Sequence, residues 1–179
     1  NGGATWTRIT SANPGVNLLD VSFTSAGTGF AVGATGTIIR TTNTGASWTE
    51  TNLPTAFALN AVAFGSASTG WAVGAGGVVA VTTDGGVSWD IVPAVTSQTL
   101  KWVSATGPAS AYAAGDQGVT ARTVTAGAWE LAPSLGSFNA VEGLYFPTGS
   151  TGYAVGYNAG GLALRTLDGG GSWTPQAPG

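Results

Sequence analysis

The stretch TTDGGVSWD, residues 82–90, returns near the C-terminus as RTLDGGGSWTP, residues 165–175. Both contain the pattern Asn/Asp-x-Gly-x-Ser/Thr-Trp, which we call the turn box. Two further full copies are present, and a shortened copy, TVTAGAWE, carries Thr125 where the acid or amide should stand. The turn-box residues are Asn1, Gly3 and Trp6; Asn43, Gly45 and Trp48; Asp84, Gly86 and Trp89; Trp129 of the shortened copy; and Asp168, Gly170 and Trp173. A turn that recurs in this way indicates a repeat architecture.

The sequence upstream of the turn boxes keeps one register. An apolar segment comes first in each unit, a Gly/Ala-rich segment with one aromatic residue follows, and a third segment leads into the box. The second segments, GFAVG, GWAVG, AYAAG and GYAVG, begin at residues 29, 70, 111 and 152. The constant step of 41 residues therefore defines four units of four short segments each.

The segments predict β-strands. They are rich in Val, Ile, Thr and aromatic residues, Gly-rich turns separate them, and no window has a sustained 3.6-residue period. Four strands in about 41 residues are typical of a propeller blade, in which each small sheet covers the apolar face of its neighbour. We therefore predict an all-β fold, a β-propeller of four-stranded antiparallel blades.

The repeat also predicts the division of the chain. Blade 1 takes residues 11–53, blade 2 takes 54–94, blade 3 takes 95–135 and blade 4 takes 136–179. Residues 1–10 form an extra outer strand of an incomplete or ring-closing blade, or of a larger propeller. How the ring closes is left open between a longer array, a four-blade ring and completion by a second chain.

The turn box is interpreted as a structural staple. The Asp or Asn side chain accepts hydrogen bonds from the backbone of its own turn, and Gly supplies a positive φ. The Trp begins the outer strand and packs inward between blades, where burial of the ring contributes about 1.5–3 kcal/mol. A metal role is not predicted, because the further oxygen ligands of a calcium loop are missing.

The turn box resembles the Asp-box (BNR-type) repeat of sialidases and related propellers. The fuller unit STGWAVGAGGVVAVTTDGGVSW, residues 68–89, is similar to the repeat of the photosystem II assembly and stability factor family and its secreted bacterial relatives. Xyloglucanase-type glycoside hydrolases carry similar units. The resemblance implies a propeller of about seven blades and, in the assembly factors, a protein-binding role.

The composition excludes several classes of function. A net charge of −3 with only five Lys and Arg excludes a polybasic nucleic-acid surface. The absence of Cys and His removes disulfides, thiolate metal sites and the commonest general base. No apolar run reaches the length of a membrane helix. We predict no cofactor, no metal and no membrane span.

Few residues are candidates for chemistry. Arg40, Arg122 and Arg165 occupy the same place in three units, so they form a surface row rather than the converging trio that the resemblance to sialidases would require. Asp20 and Glu142 are the one carboxylate pair on inner strands, but they point to opposite faces. Trp102 on an inner strand either fills the channel or offers an aromatic floor. No catalytic residue is predicted; the three arginines and Trp102 are predicted as possible binding residues.

These observations predict a non-catalytic scaffold or binding module of a secreted, cell-surface or periplasmic bacterial protein. Its partner would be a protein or a glycan, and the chain would be a homo-oligomer or part of a longer chain. The lack of an initial Met and of a leader suggests a mature or excised form. The alternatives are a protein-binding chaperone like the photosystem II assembly factors, and blades of a secreted sialidase or xyloglucanase-type hydrolase.

Overall fold

The computed structural model describes residues 5, 15–125, 127–136, 139–157 and 161–176. Within these residues sixteen strands form four sheets of four strands each. In every sheet the strands pair in chain order, and every pairing is antiparallel. The prediction of an all-β propeller with four-stranded antiparallel blades is confirmed. The predicted outer strand at residues 1–10 lies outside the described residues, apart from Thr5, and stays a prediction.

Each blade contributes four consecutive strands. In blade 1 they are β1 (Leu18–Phe23), β2 (Gly29–Gly33), β3 (Thr37–Thr41) and β4 (Thr49–Asn52), and in blade 2 they are β5 (Leu59–Phe64), β6 (Gly70–Gly74), β7 (Val79–Thr82) and β8 (Asp90–Val92). In blade 3 they are β9 (Leu100–Gly107), β10 (Ser110–Gly115), β11 (Thr120–Thr125) and β12 (Ala128–Leu131), and in blade 4 they are β13 (Ala140–Tyr145), β14 (Gly152–Tyr157), β15 (Gly161–Thr166) and β16 (Thr174–Pro175). Two short 3₁₀ turns, Ala34–Gly36 and Ala75–Gly77, join the second strand to the third in blades 1 and 2.

The hydrophobic core lies between blades rather than inside any one of them. One buried cluster joins blades 1 and 2, a second joins blades 2 and 3, and a third joins blades 3 and 4. The strands β2 and β6 are buried at every residue. A single four-stranded sheet could not bury both faces alone, so stacking provides the stability of the fold.

The first strands of neighbouring blades, β1, β5, β9 and β13, contact one another and line the axis of the array. Within the described part of the chain, no helix has the length and apolar character needed to cross a lipid bilayer.

Candidate functional site

The turn boxes define one end of the array. Each box turn packs on the turn between the first two strands of the same blade. The amide of Thr44 donates to the carbonyl of Gly27 (3.0 Å), and the amide of Gly85 donates to that of Ser68 (2.8 Å). We call this the box end, and we call the opposite end of the inner strands the bulge end.

The box acid is bonded within its own turn. Asp84 Oδ1 accepts from the amides of Val87 and Ser88 (both 3.0 Å) and from the Thr82 hydroxyl (2.8 Å), while its Oδ2 accepts from the Ser88 hydroxyl (2.6 Å). These hydrogen bonds, led by that of the Ser88 hydroxyl, hold the pKa of Asp84 well below its ordinary value. The side chain stabilises its turn.

The other described boxes repeat this geometry. Asp168 accepts from the amide and hydroxyl of Ser172 at 2.9 and 2.7 Å, and its pKa is lowered for the same reason. Asn43 accepts from the Ser47 amide (2.9 Å) and donates to the Ser47 hydroxyl (2.9 Å), so a neutral amide can replace the acid. The first copy, Asn1, Gly3 and Trp6, lies outside the described residues.

A threonine two residues before the box acid also belongs to the turn. The Thr82 hydroxyl accepts from the Gly86 amide at 2.8 Å, and Thr166 does the same for Gly170 at 2.9 Å. In the shortened copy, Thr123 instead accepts from the amide of Ala111 (3.0 Å). The turn-box pattern did not include this threonine, although it stands two residues before Asn43, Asp84 and Asp168 in the sequence.

The box indoles pack between blades against an aromatic residue that sequence reasoning also missed. The second-strand aromatics Phe30, Trp71, Tyr112 and Tyr153 recur every 41 residues, and we call them the knobs. Trp89 of blade 2 contacts the Phe30 knob of blade 1, with ring centroids 6.4 Å apart. Trp173 of blade 4 contacts the Tyr112 knob at 5.8 Å, and its Nε1 donates to the Tyr112 hydroxyl (3.2 Å).

The knobs Phe30, Trp71 and Tyr112 each lie in a pocket of the next blade, which we call the socket. The Phe30 ring also stacks on Phe64 at 4.2 Å, and a Cβ on Gly86 would collide with it. The box glycine is therefore needed for the close approach of the knob as well as for its φ of +75°. The largest knob, Trp71, packs in a cluster with Trp129 and Ala105 of blade 3. Ala105 occupies the repeat position that Phe64 has in blade 2.

At the bulge end every inner strand carries a β-bulge at the same repeat position. The pairing register shifts around one residue in each blade, 41 residues from the bulge of the next blade. A bulge re-aims its side chain and is frequent next to functional sites. The bulge residues are Leu19, Asn60, Lys101 and Glu142. The same repeat position therefore carries an apolar side chain, an amide, a cation and an anion in turn.

Two of the bulge residues meet in an ion-pair cluster across blades 3 and 4. Lys101 Nζ lies 2.9 Å from Asp116 Oδ1 and 3.5 Å from Glu142 Oε1, and all three side chains are partly exposed. The hydrogen bond to Asp116 raises the pKa of Lys101. The cluster carries a net negative charge and offers exposed donors and acceptors.

Side chains of the inner strands also connect each blade to the next. Each connection joins one side chain to a backbone group of the following inner strand. They are Asp20 Oδ2 to the Val62 amide (2.8 Å), Asn60 Nδ2 to the Leu100 carbonyl (2.8 Å) and Trp102 Nε1 to the Val141 carbonyl (3.1 Å). The Trp102 ring is thereby fixed while 37% of the residue stays exposed, so it presents an aromatic surface beside the Lys101 cluster.

The carboxylates of the inner strands have separate roles. Asp20 holds the backbone of blade 2, whereas Glu142 pairs with Lys101 between blades 3 and 4. A glycosidase requires two carboxylates about 5–10 Å apart across one sugar. The contacts of these two residues provide no such arrangement.

The three arginines lie on the third strands of three different blades. Arg40 stands over the Phe30 ring at 6.0 Å, and its Nε has no hydrogen-bond partner among the described residues. Arg122 pairs with Glu130 of its own blade at 2.8 Å. In the backbone register, Arg165 on β15 lies opposite Tyr153 on β14 of the same blade. Each is thus engaged with its own blade.

A cleft of about 360 Å³ opens at the box end between blades 2, 3 and 4. Its walls contain no ionisable group and include Gly107, Pro108, Pro147 and Gly149. Over the described ranges, no group of three or more Asp or Glu residues is placed to hold a metal ion. The bulge end therefore carries the more varied chemistry.

Solved structures of other proteins share this architecture. The structure resembles a solved YCF48 bound to D1 peptide, with a TM-score of 0.74 and 26% sequence identity over 93% of this chain and 56% of that chain. It resembles YCF48 from Cyanidioschyzon merolae with a TM-score of 0.70 and 21% identity, over 92% of this chain and 57% of that one. A GH74 xyloglucanase from Xanthomonas campestris shares the fold with a TM-score of 0.64 and 14% identity, over 88% of this chain and 29% of that one.

The chain thus spans little more than half the length of the two YCF48 structures. No curated protein matches the sequence. The family model described as photosynthesis system II assembly factor YCF48 matches residues 2–141, which is more than three quarters of the chain. The chain therefore belongs to the YCF48 family of photosynthesis system II assembly factors.

Proposed function

We propose that this chain is a non-catalytic propeller module that binds an extended protein segment at its bulge end. The observation that carries the proposal is the bulge position itself. The same backbone site presents a different side chain in every blade, and Trp102 stands beside it. A regular scaffold with varied side chains at one end is typical of a binding surface.

The chemistry of this end favours a peptide over a phosphate or a nucleic acid. The Lys101 cluster offers one cation and two carboxylates, so a ligand with both donors and acceptors can pair with it. The exposed part of Trp102 offers apolar contact to a side chain of the ligand. A relative in the family has been solved with a D1 peptide, which supports a protein segment as the ligand.

The proposed absence of catalysis rests on the positions of the ionisable groups. Asp20 is bound to backbone amides, Asp116 and Glu142 share one lysine, and the three arginines are held apart by the blades. The likeness to the GH74 xyloglucanase supports a common fold only. Incubation with xyloglucan and with a sialoside should release no sugar; turnover of either would contradict the proposal.

We also propose that the module works outside the cytoplasm, as a secreted, surface or periplasmic domain. Its low charge and the absence of Cys support this location. Fractionation of the native host with an antibody to residues 15–176 tests it. Recovery in the cytoplasmic fraction would contradict it.

Binding can be tested by fluorescence anisotropy with a labelled D1 peptide, alongside an array of unrelated extended peptides. Trp102→Ala and Lys101→Ala should each weaken binding about tenfold, which corresponds to about 1.4 kcal/mol. Val124→Ala is the matched control, because Val124 is 61% exposed and lies near the end of β11, at the box end of the same blade. Failure of all peptides to bind, or equal binding by all three variants, would contradict the proposal.

A further inference from the structure

The two strongest donor side chains at the bulge end are already engaged within the protein. The Lys101 ammonium lies 2.9 Å from Asp116 Oδ1, and the Trp102 Nε1 donates to the carbonyl of Val141 at 3.1 Å. Among the described residues, Lys101 is the one cation on an inner strand. An anionic group of a ligand would therefore meet a cation that the protein has already neutralised.

The Glu142 carboxylate, in contrast, keeps capacity to accept hydrogen bonds. Its Oε1 lies 3.5 Å from Lys101 Nζ, farther than the oxygen of Asp116, and its side chain is 49% exposed. An ionised carboxylate has about four lone-pair sites, and one long contact to an ammonium leaves most of them open. The site therefore offers acceptors to a ligand more readily than donors.

The Trp102 ring can act on a ligand only through its face. Its single donor is bonded to Val141, so the indole has no polar group left to offer. The face of an aromatic ring carries the negative part of the ring quadrupole and attracts cations, and the indole does so most strongly. The hydrogen bond also fixes the ring before a ligand arrives, which lowers the entropy cost of binding.

The indole and the carboxylate are neighbours across one junction. Trp102 contacts the backbone of Val141, and the adjacent Lys101 contacts the side chain of Glu142, the next residue of the same strand. These contacts join blade 3 to blade 4 and do not involve the outermost face of either terminal blade. One ammonium and two carboxylates leave a net charge of −1 beside the aromatic face.

We propose that the segment bound at the bulge end is recognised through an arginine, whose guanidinium lies on the Trp102 face and donates to Glu142. The inference rests on the proposed peptide-binding function and names the side chain that the site selects. A planar guanidinium can stack on an indole and donate to a carboxylate at once, whereas the ammonium of lysine is compact and strongly hydrated. Arginine is therefore preferred to lysine, and both are preferred to a neutral or acidic side chain.

A substitution scan by fluorescence anisotropy tests this selectivity. The probes are the labelled D1 peptide and the best-binding peptide of the array, each remade with arginine, lysine, citrulline or glutamate at every position in turn. Citrulline has the shape of arginine without its charge. At one position arginine should bind about fivefold tighter than citrulline, and high salt should reduce this ratio because the pairing is partly exposed.

Variants of the acidic residue locate the selectivity. Glu142→Gln should abolish the preference for arginine over citrulline while the citrulline peptide still binds, and Glu142→Lys should make the glutamate peptide bind better than the arginine peptide. Glu130→Gln is the matched control, because the Glu130 side chain is 47% exposed and pairs with Arg122 on the outer strands of blade 3. This control should leave the preference unchanged.

A pair of variants isolates the aromatic face. Trp102→Phe and Trp102→Leu both lose the donor to Val141, but only the phenylalanine keeps a ring. Trp102→Phe should therefore retain more of the preference for arginine over citrulline than Trp102→Leu does. Equal preferences in these two variants would contradict stacking on the ring.

The outcomes separate this inference from the function on which it rests. If peptides bind but all four side chains bind equally at every position, arginine recognition is wrong and peptide binding stands. Tightest binding of glutamate peptides, or an arginine preference that survives Glu142→Gln, would also overturn it. If no peptide binds at all, the proposed function fails and this inference fails with it.

Discussion

The Asp20 carboxylate accepts a hydrogen bond from the amide of Val62, at 2.8 Å, across the junction of blades 1 and 2. A second oxygen of the same group accepts from its own neighbour, Val21, at 2.8 Å. The residue that most resembled a channel-facing acid in the sequence is thus a connection between blades. The carboxylate positions the backbone through these two hydrogen bonds.

Removal of this acceptor should destabilise the fold. Asp20→Ala leaves the Val62 amide without its partner, and a partly buried unsatisfied amide costs about 1–3 kcal/mol. Asp20→Asn retains an acceptor oxygen and should lose less. Urea denaturation measures both, and identical midpoints for parent and Asp20→Ala would show that this bond contributes nothing.

The box acids predict an acid-sensitive stability. Asp84 and Asp168 have folded-state pKa values below the ordinary 3.8, so their stabilisation is present above that pH and is lost as the pH falls below it. The double variant Asp84→Asn/Asp168→Asn should unfold at a lower temperature than the parent at neutral pH, because neutral amides make weaker hydrogen bonds than carboxylates. Its melting temperature should fall less steeply than that of the parent between pH 4 and pH 2.

Blade 1 supplies the control for this experiment, because Asn43 already occupies the box with an amide. Asn43→Asp should make the melting temperature more sensitive to acid. Parallel pH profiles for the parent and the double variant would contradict the assigned cause.

The box glycine should tolerate no side chain. Gly86→Ala places a Cβ against the Phe30 ring at a φ of +75°, and overpacking together with backbone strain costs about 1–3 kcal/mol. Gly127→Ala is the control, because a Cβ there meets nothing within 4 Å. Equal unfolding free energies for the two variants would mean that the knob does not need the glycine.

The junction of blades 2 and 3 predicts a compensating pair. Ala105→Phe should overpack the socket that holds Trp71 and destabilise the fold by about 1–3 kcal/mol. Trp71→Phe in the same chain should restore much of this loss, since the junction of blades 1 and 2 holds a Phe knob and a Phe socket. A double-mutant cycle measures the coupling, and strictly additive losses would contradict it.

The fold could be predicted from the sequence because the 41-residue step and the turn boxes repeat almost without drift. The indoles of Trp89 and Trp173 were expected between blades, since a large apolar ring at a repeated position has to be buried, and their rings contact Phe30 and Tyr112 of the preceding blades. The knobs were visible as the aromatic residues of GFAVG and its relatives, but their sockets come from the next blade. The contacts between neighbouring blades cannot be derived from the pattern of residues within one blade.

The bulge end was harder to predict for a related reason. A β-bulge shifts the alternation of side chains by one residue, so Lys101 and Glu142 could not be assigned to a face by counting along the strand. The ion pair that joins them also requires the relative position of two blades. Trp102, in contrast, could be proposed from the sequence because a Trp on an inner strand differs from Asp20 and Ala61 at the same repeat position; its binding role stays a prediction.

The most direct test of a binding role at the bulge end is hydrogen–deuterium exchange with and without the labelled D1 peptide or the best peptide of the array. We expect protection of residues 98–102, 116–119 and 139–143, with little change in the turns at the box end. Protection confined to residues 106–109 and 147–150, or unchanged exchange in the presence of a peptide that binds, would contradict it.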